Sequence, residues 1–326
     1  NSYTLVLENN HWLIDKNTHW DYSEFPYRDN RNKQLADNSS SFNFNSYFKD
    51  PNIEKAIRKQ LNKPKEPLSQ NDLNTIYYLD LKNKNIRNID GLENLHNLTY
   101  LNLSYNPINN FNSLKNLVNL EYLNLNYTCI HDLKSLDHLT NLSDLYINYS
   151  DITDITPLKN LKNLINLEMS YNEIIDINPI SSLKNLVNID MSHNKIEDIQ
   201  VLRNISKLYN LNLSYNQISD ICSLKNLINL ESLDISNNTI YNIDPLKNLI
   251  NLQSLDISNN TIYNVDSLKN LINLEELNIS NNTIYNIDSL KNLTMLTALS
   301  LSGNNITDLA PIKSYYYNLN RIDFSL

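Results

Sequence analysis

The sequence predicts an α/β solenoid. We expect a curved stack of short units with a parallel β-sheet on the concave face, 3₁₀ or short helical turns on the convex face, and a helical cap at the N-terminal end. Three observations support this prediction: a Leu-x-Leu pattern every 22 residues, an Asn five residues after most copies, and an amphipathic segment before the first copy. Self-similarity at a fixed period is the signature of a repeat architecture.

The Leu-x-Leu pair, or an Ile variant of it, predicts one strand per repeat. Alternating apolar residues are typical of a short strand with one buried face. Eleven copies stand in register, and they begin at Leu79, Leu101, Leu123, Leu145, Leu167, Ile189, Leu211, Leu233, Leu255, Leu277 and Leu299. We number the rungs of the solenoid 1 to 11 in this order.

The segment that returns the chain to the next strand has apolar residues three positions apart, such as Leu246, Leu249 and Leu252. This spacing suits a 3₁₀ or short helical turn, in which residues three apart lie on one side. The segment opens with Pro in some copies and Ser in others, as at Pro245 and Ser267. We expect the Pro to fix φ and the Ser to cap free N–H groups.

An Asn stands five residues after eight of the starts, while Thr128 and Ser150 are small polar substitutes and Lys84 occupies the first copy. The eight are Asn106, Asn172, Asn194, Asn216, Asn238, Asn260, Asn282 and Asn304. A carboxamide can donate and accept at once, so we expect a buried column that satisfies the backbone of the turns. Asn should also fill left-handed turn positions, because the chain has only two glycines.

The repeat unit Leu-x-x-Leu-x-x-Leu-x-x-Leu-x-Leu-Ser-x-Asn-x-Ile-x-Asp-Ile resembles the 22-residue class of leucine-rich repeats over residues 79–311. This class occurs in bacterial internalins and in some eukaryotic regulatory proteins. Residues 48–61 predict an amphipathic helix with Asp50 as N-cap and Pro51 at its first position. That segment resembles the helical cap of internalin-type proteins, which favours the bacterial family.

These patterns predict four regions. Residues 1–47 are an N-terminal segment to which we assign no role, 48–76 form the helical cap, 77–311 are the repeats, and 312–326 are a partial repeat whose period slips by one residue. Within the first region, residues 28–46 are expected to be loosely ordered. Neither a leader nor the further domain and anchor of an internalin is visible, so we expect a mature form or a fragment.

Composition narrows the function classes. The net charge of −9 disfavours nucleic acid as a partner, because phosphate binding needs a positive surface. No run of 18 apolar residues could form a transmembrane helix. The two cysteines, Cys129 and Cys222, fall four rungs apart, or about 19 Å at about 4.8 Å per strand. This distance is too long for a disulfide, so we expect free thiols.

No residue pattern indicates catalysis, a metal or a cofactor. Glu168, Asp190 and His193 fall close together, but no nucleophile with an orienting base accompanies them. Asp234 and Asp256 are neighbours on an open sheet, without the six to eight oxygen ligands that calcium prefers. We therefore expect a binding protein that needs no cofactor.

The partner-binding surface is predicted on the concave face of rungs 1 to 7, where the exposed positions vary most between copies. Tyr105 to Tyr171 should form an aromatic ridge at the rung spacing, and the alternative is that stacked Tyr only stabilise the sheet. The acidic residues on this face favour a basic or amphipathic protein partner. The predicted binding residues are Tyr78, Tyr100, Tyr105, Tyr122, Tyr127, Tyr146, Tyr149, Glu168, Tyr171, Asp190, His193 and Tyr215.

The resemblance implies an exported bacterial protein, secreted or at the cell surface, that binds a host or neighbouring-cell protein as a monomer. Two alternatives stay open. One is a cytoplasmic scaffold or regulatory subunit of the same repeat class, which would bind an enzyme in the same groove. The other is the targeting arm of a larger enzyme or toxin.

Overall fold

The computed structural model describes residues 5–8, 11–14 and 47–325, and the chain divides into two units, Asn1–Asn45 and Ser46–Leu326. In the first unit, β1 (Leu5–Glu8) and β2 (His11–Ile14) form an antiparallel pair. The loose order predicted for residues 28–46 lies outside the described residues. Everything below concerns the second unit.

A helical segment covers the first rung, as the sequence pattern predicts. Helix α1 (Pro51–Gln60) begins after Asp50, whose carboxylate accepts from the Asn52 N–H at 2.9 Å. Its inward face buries Ile53 and Ile57 in the core of the repeats. The short helix α2 (Gln70–Leu73) follows and is closed by a capping box. These helices supply the apolar cover that a terminal rung needs.

The repeats form one open, curved sheet of 12 parallel strands in chain order, which confirms the fold predicted from the Leu-x-Leu pattern. Neighbouring strands pair in register, Leu79 with Leu101 and so on, so residues at equivalent positions lie side by side. The strands are β3 (Tyr78–Asp80), β4 (Tyr100–Asn102), β5 (Tyr122–Asn124), β6 (Asp144–Tyr146), β7 (Asn166–Glu168), β8 (Asn188–Asp190), β9 (Asn210–Asn212), β10 (Ser232–Asp234), β11 (Ser254–Asp256), β12 (Glu276–Asn278), β13 (Ala298–Ser300) and β14 (Arg321–Ile322).

The last strand pairing shows the slip in the period. Leu299 pairs with Ile322, one residue beyond the regular spacing, and the 3₁₀ turn Tyr316–Asn318 lies between their strands. Tyr315 is buried there and donates its hydroxyl to the Leu290 carbonyl at 2.8 Å. An aromatic side chain thus replaces the regular leucine packing at this end of the core.

Short 3₁₀ turns form the return side, as predicted. They cover Leu92–Asn94, Asn112–Asn116, Lys134–Leu136, Thr156–Asn160, Asn178–Ser182, Gln200–Asn204, Cys222–Asn226, Asp244–Asn248, Asp266–Asn270, Asp288–Asn292, Ala310–Ile312 and Tyr316–Asn318. The apolar residues three apart lie on their inner side and complete a continuous core with the leucines of the strands.

The prediction that Ser caps these turns was wrong. The Ser stands second in the turn, and the buried hydroxyls of Ser223, Ser267 and Ser289 have no hydrogen-bond partner among the described residues. The capping acceptor is instead an Asp or Asn two residues before the turn. Asp220, for example, accepts from the Cys222 N–H at 2.8 Å. The Ser side chain points inward beside the core, at a position that Pro157, Pro179, Val201 and Pro245 occupy in other rungs.

The predicted Asn column is confirmed. The Asn238 amide donates to the Leu213, Ile235 and Ser236 carbonyls at 3.0 to 3.1 Å, and its Oδ1 accepts from the Ile218 N–H at 2.9 Å. Thr128 replaces only part of this function, with one bond to the Leu125 carbonyl. The column therefore connects neighbouring rungs through groups that the strands leave unpaired.

A second asparagine column lies on the return side and was not predicted. Asn229 donates to the Ser206 carbonyl at 2.9 Å, and Asn251 donates to the Ile228 carbonyl at 2.8 Å. The same bond to the preceding rung is made by Asn119, Asn141, Asn163, Asn185 and Asn273, whereas Asn97 donates to the Asn74 carbonyl at the end of α2. Most rungs are thus joined to a neighbouring rung by side-chain amides on both sides of the core, with interruptions at Thr128 and Ser150 in the first column and at Lys207 and Met295 in the second.

Candidate functional site

A row of stacked aromatic rings, here called the turn ridge, runs along one edge of the sheet over rungs 2 to 7. It consists of Tyr105, Tyr127, Tyr149, Tyr171, His193 and Tyr215. Successive ring centroids lie 3.9 to 4.5 Å apart, and the rings are tilted by only 11 to 15°. The stacking predicted for Tyr105 to Tyr171 is present and continues through His193 to Tyr215.

The ridge residues lie in the turn after each strand, beyond the strand residues themselves, and all have a left-handed backbone with φ between 52 and 59°. This conformation costs a residue with a bulky side chain about 1 kcal/mol or more. Asn237, Asn259, Asn281 and Gly303 hold the equivalent positions in rungs 8 to 11, and these residue types tolerate it. The same scaffold thus accommodates a less strained residue, so the fold alone does not explain the aromatic row.

The ridge presents ring edges and hydroxyls to solvent, because each inner ring is covered on both faces by its neighbours. The Tyr149 ring stacks between those of Tyr127 and Tyr171, so the three hydroxyls lie along the same edge of the ridge. Burial is the main cause that raises the pKa of Tyr149 above its ordinary value of 10.0. These hydroxyls therefore stay protonated at neutral pH and can both donate and accept. At one end, the Lys82 ammonium lies 5.3 Å from the centre of the Tyr105 ring.

A second aromatic group, here called the strand cluster, lies on the strands of rungs 1 to 4. It consists of Tyr78, Tyr100, Tyr122 and Tyr146. The first three stack with centroids 4.3 and 4.2 Å apart. Tyr146 belongs to a different column, and its ring lies 5.2 Å from that of Tyr122 at an angle of 40°. The strand cluster thus crosses from one column to the next at rung 4.

Most Asp and Asn side chains in the middle column of the sheet have a structural role. Each accepts from the backbone N–H two residues later and so closes the end of its strand. Asp190 accepts from the Ser192 N–H at 2.9 Å, and Asp234 accepts from the Ser236 N–H at 2.9 Å. Asp80, Asn102, Asn124, Asn212, Asp256 and Asn278 do the same. This bond gives Asp190 a structural role, which accounts for an Asp at this position without the partner binding predicted from the sequence.

Tyr146 and Glu168 interrupt this pattern, because neither makes the bond to the N–H two residues on. Amides from the preceding rung replace them: Asn126 Oδ1 accepts from the Asn148 N–H, and Asn148 Oδ1 accepts from the Ser170 N–H, both at 2.7 Å. Tyr146 and Glu168 therefore do not have to cap the ends of their strands. They lie side by side in β6 and β7.

Rungs 3 to 5 therefore depart from the repeat at several positions at once. Thr128 and Ser150 interrupt the Asn column on rungs 3 and 4, and Tyr146 and Glu168 interrupt the capping pattern on rungs 4 and 5. The turn ridge and the strand cluster both pass through this region. We take rungs 3 to 5 as the centre of the candidate site. Several residues there differ from the repeat pattern, and neighbouring amides replace the capping bonds that are lost.

Glu168 is partly buried and has no cationic partner. Its carboxylate accepts from the Asn148 amide at 3.0 Å, and no Lys, Arg or His of residues 47–325 forms an ion pair with Glu168 or Asp190. Burial, and then the charge of Asp190, raises the pKa of Glu168 to about 7. A positive group placed here would stabilise the ionised carboxylate.

Replacing Glu168 with Gln is expected to stabilise the protein at pH 8 by about 1 to 2 kcal/mol and to have little effect near pH 5. The pKa of Glu168 is above its ordinary 4.5 in the folded state, so folding takes up a proton between pH 4.5 and about 7. Stability then falls as the pH rises through that window, and Gln removes this loss. Urea unfolding of both proteins at pH 5 and pH 8 measures it. An equal difference at both pH values would contradict the raised pKa.

Other predicted features were located as follows. Cys129 and Cys222 are free and exposed, as predicted. Within the described ranges, no three His, Cys, Asp or Glu residues lie close enough together to hold a metal ion. No helix among the same residues has the length and hydropathy needed to cross a membrane. The expectation that the chain is not an enzyme stays a prediction.

Comparisons with known proteins agree with the geometry. Models described as leucine-rich repeats match residues 118–160, 162–204 and 250–306. No curated protein matches the chain in sequence. A functional domain of InlJ from Listeria monocytogenes, which includes a cysteine ladder, is 25% identical with a TM-score of 0.68, and the match covers 81% of this chain and 62% of that domain. Leucine-rich repeats of this kind form protein–protein interaction modules.

Two further solved structures come from Listeria monocytogenes strain 4b F2365. The internalin InlF is 30% identical with a TM-score of 0.65, and the match covers 86% of this chain and 96% of that one. The internalin C2 is 32% identical with a TM-score of 0.62, and the match covers 66% of this chain and 94% of that one. This identity over nearly the full length of two internalins shows that the chain belongs to the internalin family of leucine-rich-repeat proteins.

Proposed function

We propose that this protein is an exported bacterial internalin-like protein that binds a host or neighbouring-cell protein through the concave face of rungs 1 to 7, with its centre at rungs 3 to 5. The observation that carries the proposal is the release of Tyr146 and Glu168 from the capping role of their column, compensated by Asn126 and Asn148. A scaffold that needed only stability would keep Asp or Asn at both positions.

The surface favours a protein partner with basic side chains. The turn ridge offers hydroxyls and ring edges rather than open ring faces, which suits polar backbone and side-chain groups. Tyr is a frequent energetic anchor in protein interfaces because it adds a large area with little rotamer entropy. Glu168 lies beside Tyr146 without a cation of its own, so a Lys or Arg of the partner would supply the missing charge.

The test is binding of the purified chain to an array of host surface and matrix proteins. Its companion is a variant in which Tyr105, Tyr127, Tyr149 and Tyr171 are changed to Asn, the residue that rungs 8 to 10 carry at this left-handed position. We expect the variant to stay folded and to lose affinity for the partner at least about 30-fold, which corresponds to about 2 kcal/mol.

A matched control changes three other tyrosines to Asn, namely Tyr241, Tyr263 and Tyr285. These side chains are exposed but lie outside the turn ridge and the strand cluster. The control should bind as the original protein does. Equal loss in both variants, or full binding by the ridge variant, would exclude the ridge as the site. No binding to any exported or surface protein would favour a cytoplasmic partner.

A further inference from the structure

Rungs 7 to 10 carry exposed apolar side chains on both flanks of the solenoid, away from the concave site. Tyr241, Tyr263 and Tyr285 lie between a strand and the following 3₁₀ turn, and each is more than half exposed. Ile228, Ile250 and Ile272 lie between a 3₁₀ turn and the following strand, and each is also more than half exposed. The first row is here called the Tyr flank and the second the Ile flank.

The fold does not require either row. At the position of the Tyr flank, other rungs carry Asn109, His131, Thr153, Glu197 and Ser219, with Ile175 as an apolar exception. At the position of the Ile flank, other rungs carry His96, Thr140, Lys162, Lys184 and Ser206, with Val118 as the exception. Single exposed apolar residues are ordinary, but a row of three on consecutive rungs along each flank indicates a contact surface.

Charge differs between the two flanks in the same rungs. Asp244, Asp266 and Asp288 begin the 3₁₀ turns next to the Tyr flank, whereas rungs 2 to 7 have no Asp or Glu at that position. Lys247, Lys269 and Lys291 stand three residues after these Asp residues, towards the Ile flank, and Lys225 holds the same position in rung 7. None of these seven side chains forms an ion pair within residues 47–325.

We propose that the Tyr flank of one molecule binds the Ile flank of a second copy of this chain, so that copies associate side by side. The Asp row of one copy then lies opposite the Lys row of the next. Both flanks follow the same parallel sheet, so their side chains repeat at the same spacing of about 4.8 Å and can interdigitate over several rungs. A contact between two different surfaces is head-to-tail, and it adds further copies unless the rotation between copies closes a ring. This inference replaces the monomer expected from the sequence.

The test uses the full chain and two variants. One changes Tyr241, Tyr263 and Tyr285 to Ser, the residue found at Ser219. The other changes Ile228, Ile250 and Ile272 to Ser, the residue found at Ser206. All six side chains are more than half exposed, so both variants should keep the unfolding midpoint of the original protein. Analytical ultracentrifugation then gives the mass of each protein alone and of the two variants mixed.

We expect the mass of the original protein to rise with its concentration and to fall back in high salt, where charge pairs are screened. Each variant alone should be a monomer, because it retains only one flank. An equimolar mixture should form a heterodimer and grow no further, since the remaining flanks of that pair are both blocked. A monomeric original protein would overturn the proposal, as would self-association of either variant alone, which would indicate contact between like flanks.

Discussion

Replacing Gly91 with Ala is expected to lower the free energy of unfolding of the repeat unit by about 3 kcal/mol or more. Gly91 has φ of +105°, a conformation that side chains rarely adopt. An added Cβ would also overlap the Tyr47 carbonyl oxygen and lie 2.8 Å from the Phe48 Cα. These are backbone atoms of the segment that enters α1, so the clash is relieved only by displacing the helical cap from rung 1.

Gly303 is the matched control for this change. Its φ of +69° lies in the ordinary left-handed region, and the atom closest to an added Cβ belongs to the flexible side chain of Asn281. Gly303→Ala should therefore cost only about 1 kcal/mol. Urea unfolding measures both variants, and amide hydrogen exchange should show the loss in Gly91→Ala concentrated in the first rungs. Equal losses in the two variants would contradict an explanation based on the backbone contact.

The 22-residue period predicted the fold because it determines both where each strand lies in the sequence and how neighbouring strands pair. A constant spacing of Leu79, Leu101 and their equivalents places the same residue type at the same point of every turn, so strand register follows from the numbering alone. The alternation of the leucines identifies the buried face. The extra residue before Ile322 could be located for the same reason.

The conformation of the turn ridge could not be inferred from its tyrosines, since Tyr carries no preference for positive φ. The evidence for a positive φ lies in the residues that other rungs carry at the same position of the repeat. Asn237, Asn259, Asn281 and Gly303 share the position, and Asn with Gly in one column is typical of a left-handed turn. The rule that Asn fills left-handed turns, which holds for the chain as a whole, applies to this column as well.

The capping role of the middle column had a signal too. Both Asp and Asn occur in this column. The position therefore requires the side-chain oxygen acceptor that the two residue types have in common, and not a negative charge. Interpreting these acids only as a negative surface misses their structural role. Comparing residue types would have identified Tyr146 and Glu168 as exceptions at rungs 4 and 5. Their compensation by Asn126 and Asn148 depends on distances between rungs and needed the structure.

Replacing Asn238 with Ala is expected to lower the free energy of unfolding by about 1 to 3 kcal/mol. The change leaves the buried Ile218 N–H without an acceptor. It also removes one of two donors to each of the Leu213, Ile235 and Ser236 carbonyls, which keep their bonds to the Asn216 amide, the Asn260 amide and the Tyr215 N–H. Each buried group left unpaired costs about 1 to 3 kcal/mol. Urea unfolding measures the loss, with Asn226→Ala as control, because Asn226 is exposed on the return side and its change should alter stability by less than about 0.5 kcal/mol.

The interruption of the Asn column at Thr128 indicates how strictly the turns need the Asn side chain. Where Thr128 interrupts it, the Ile108 N–H finds a different acceptor, the Asn106 carbonyl at 2.9 Å. If the backbone near Asn238 can make the same adjustment, Asn238→Thr should recover part of the loss, because its hydroxyl could donate as that of Thr128 does. A loss in Asn238→Ala no larger than in Asn226→Ala would mean that the turns satisfy themselves. The uninterrupted column in rungs 5 to 11 would then reflect repeat duplication rather than a requirement for stability.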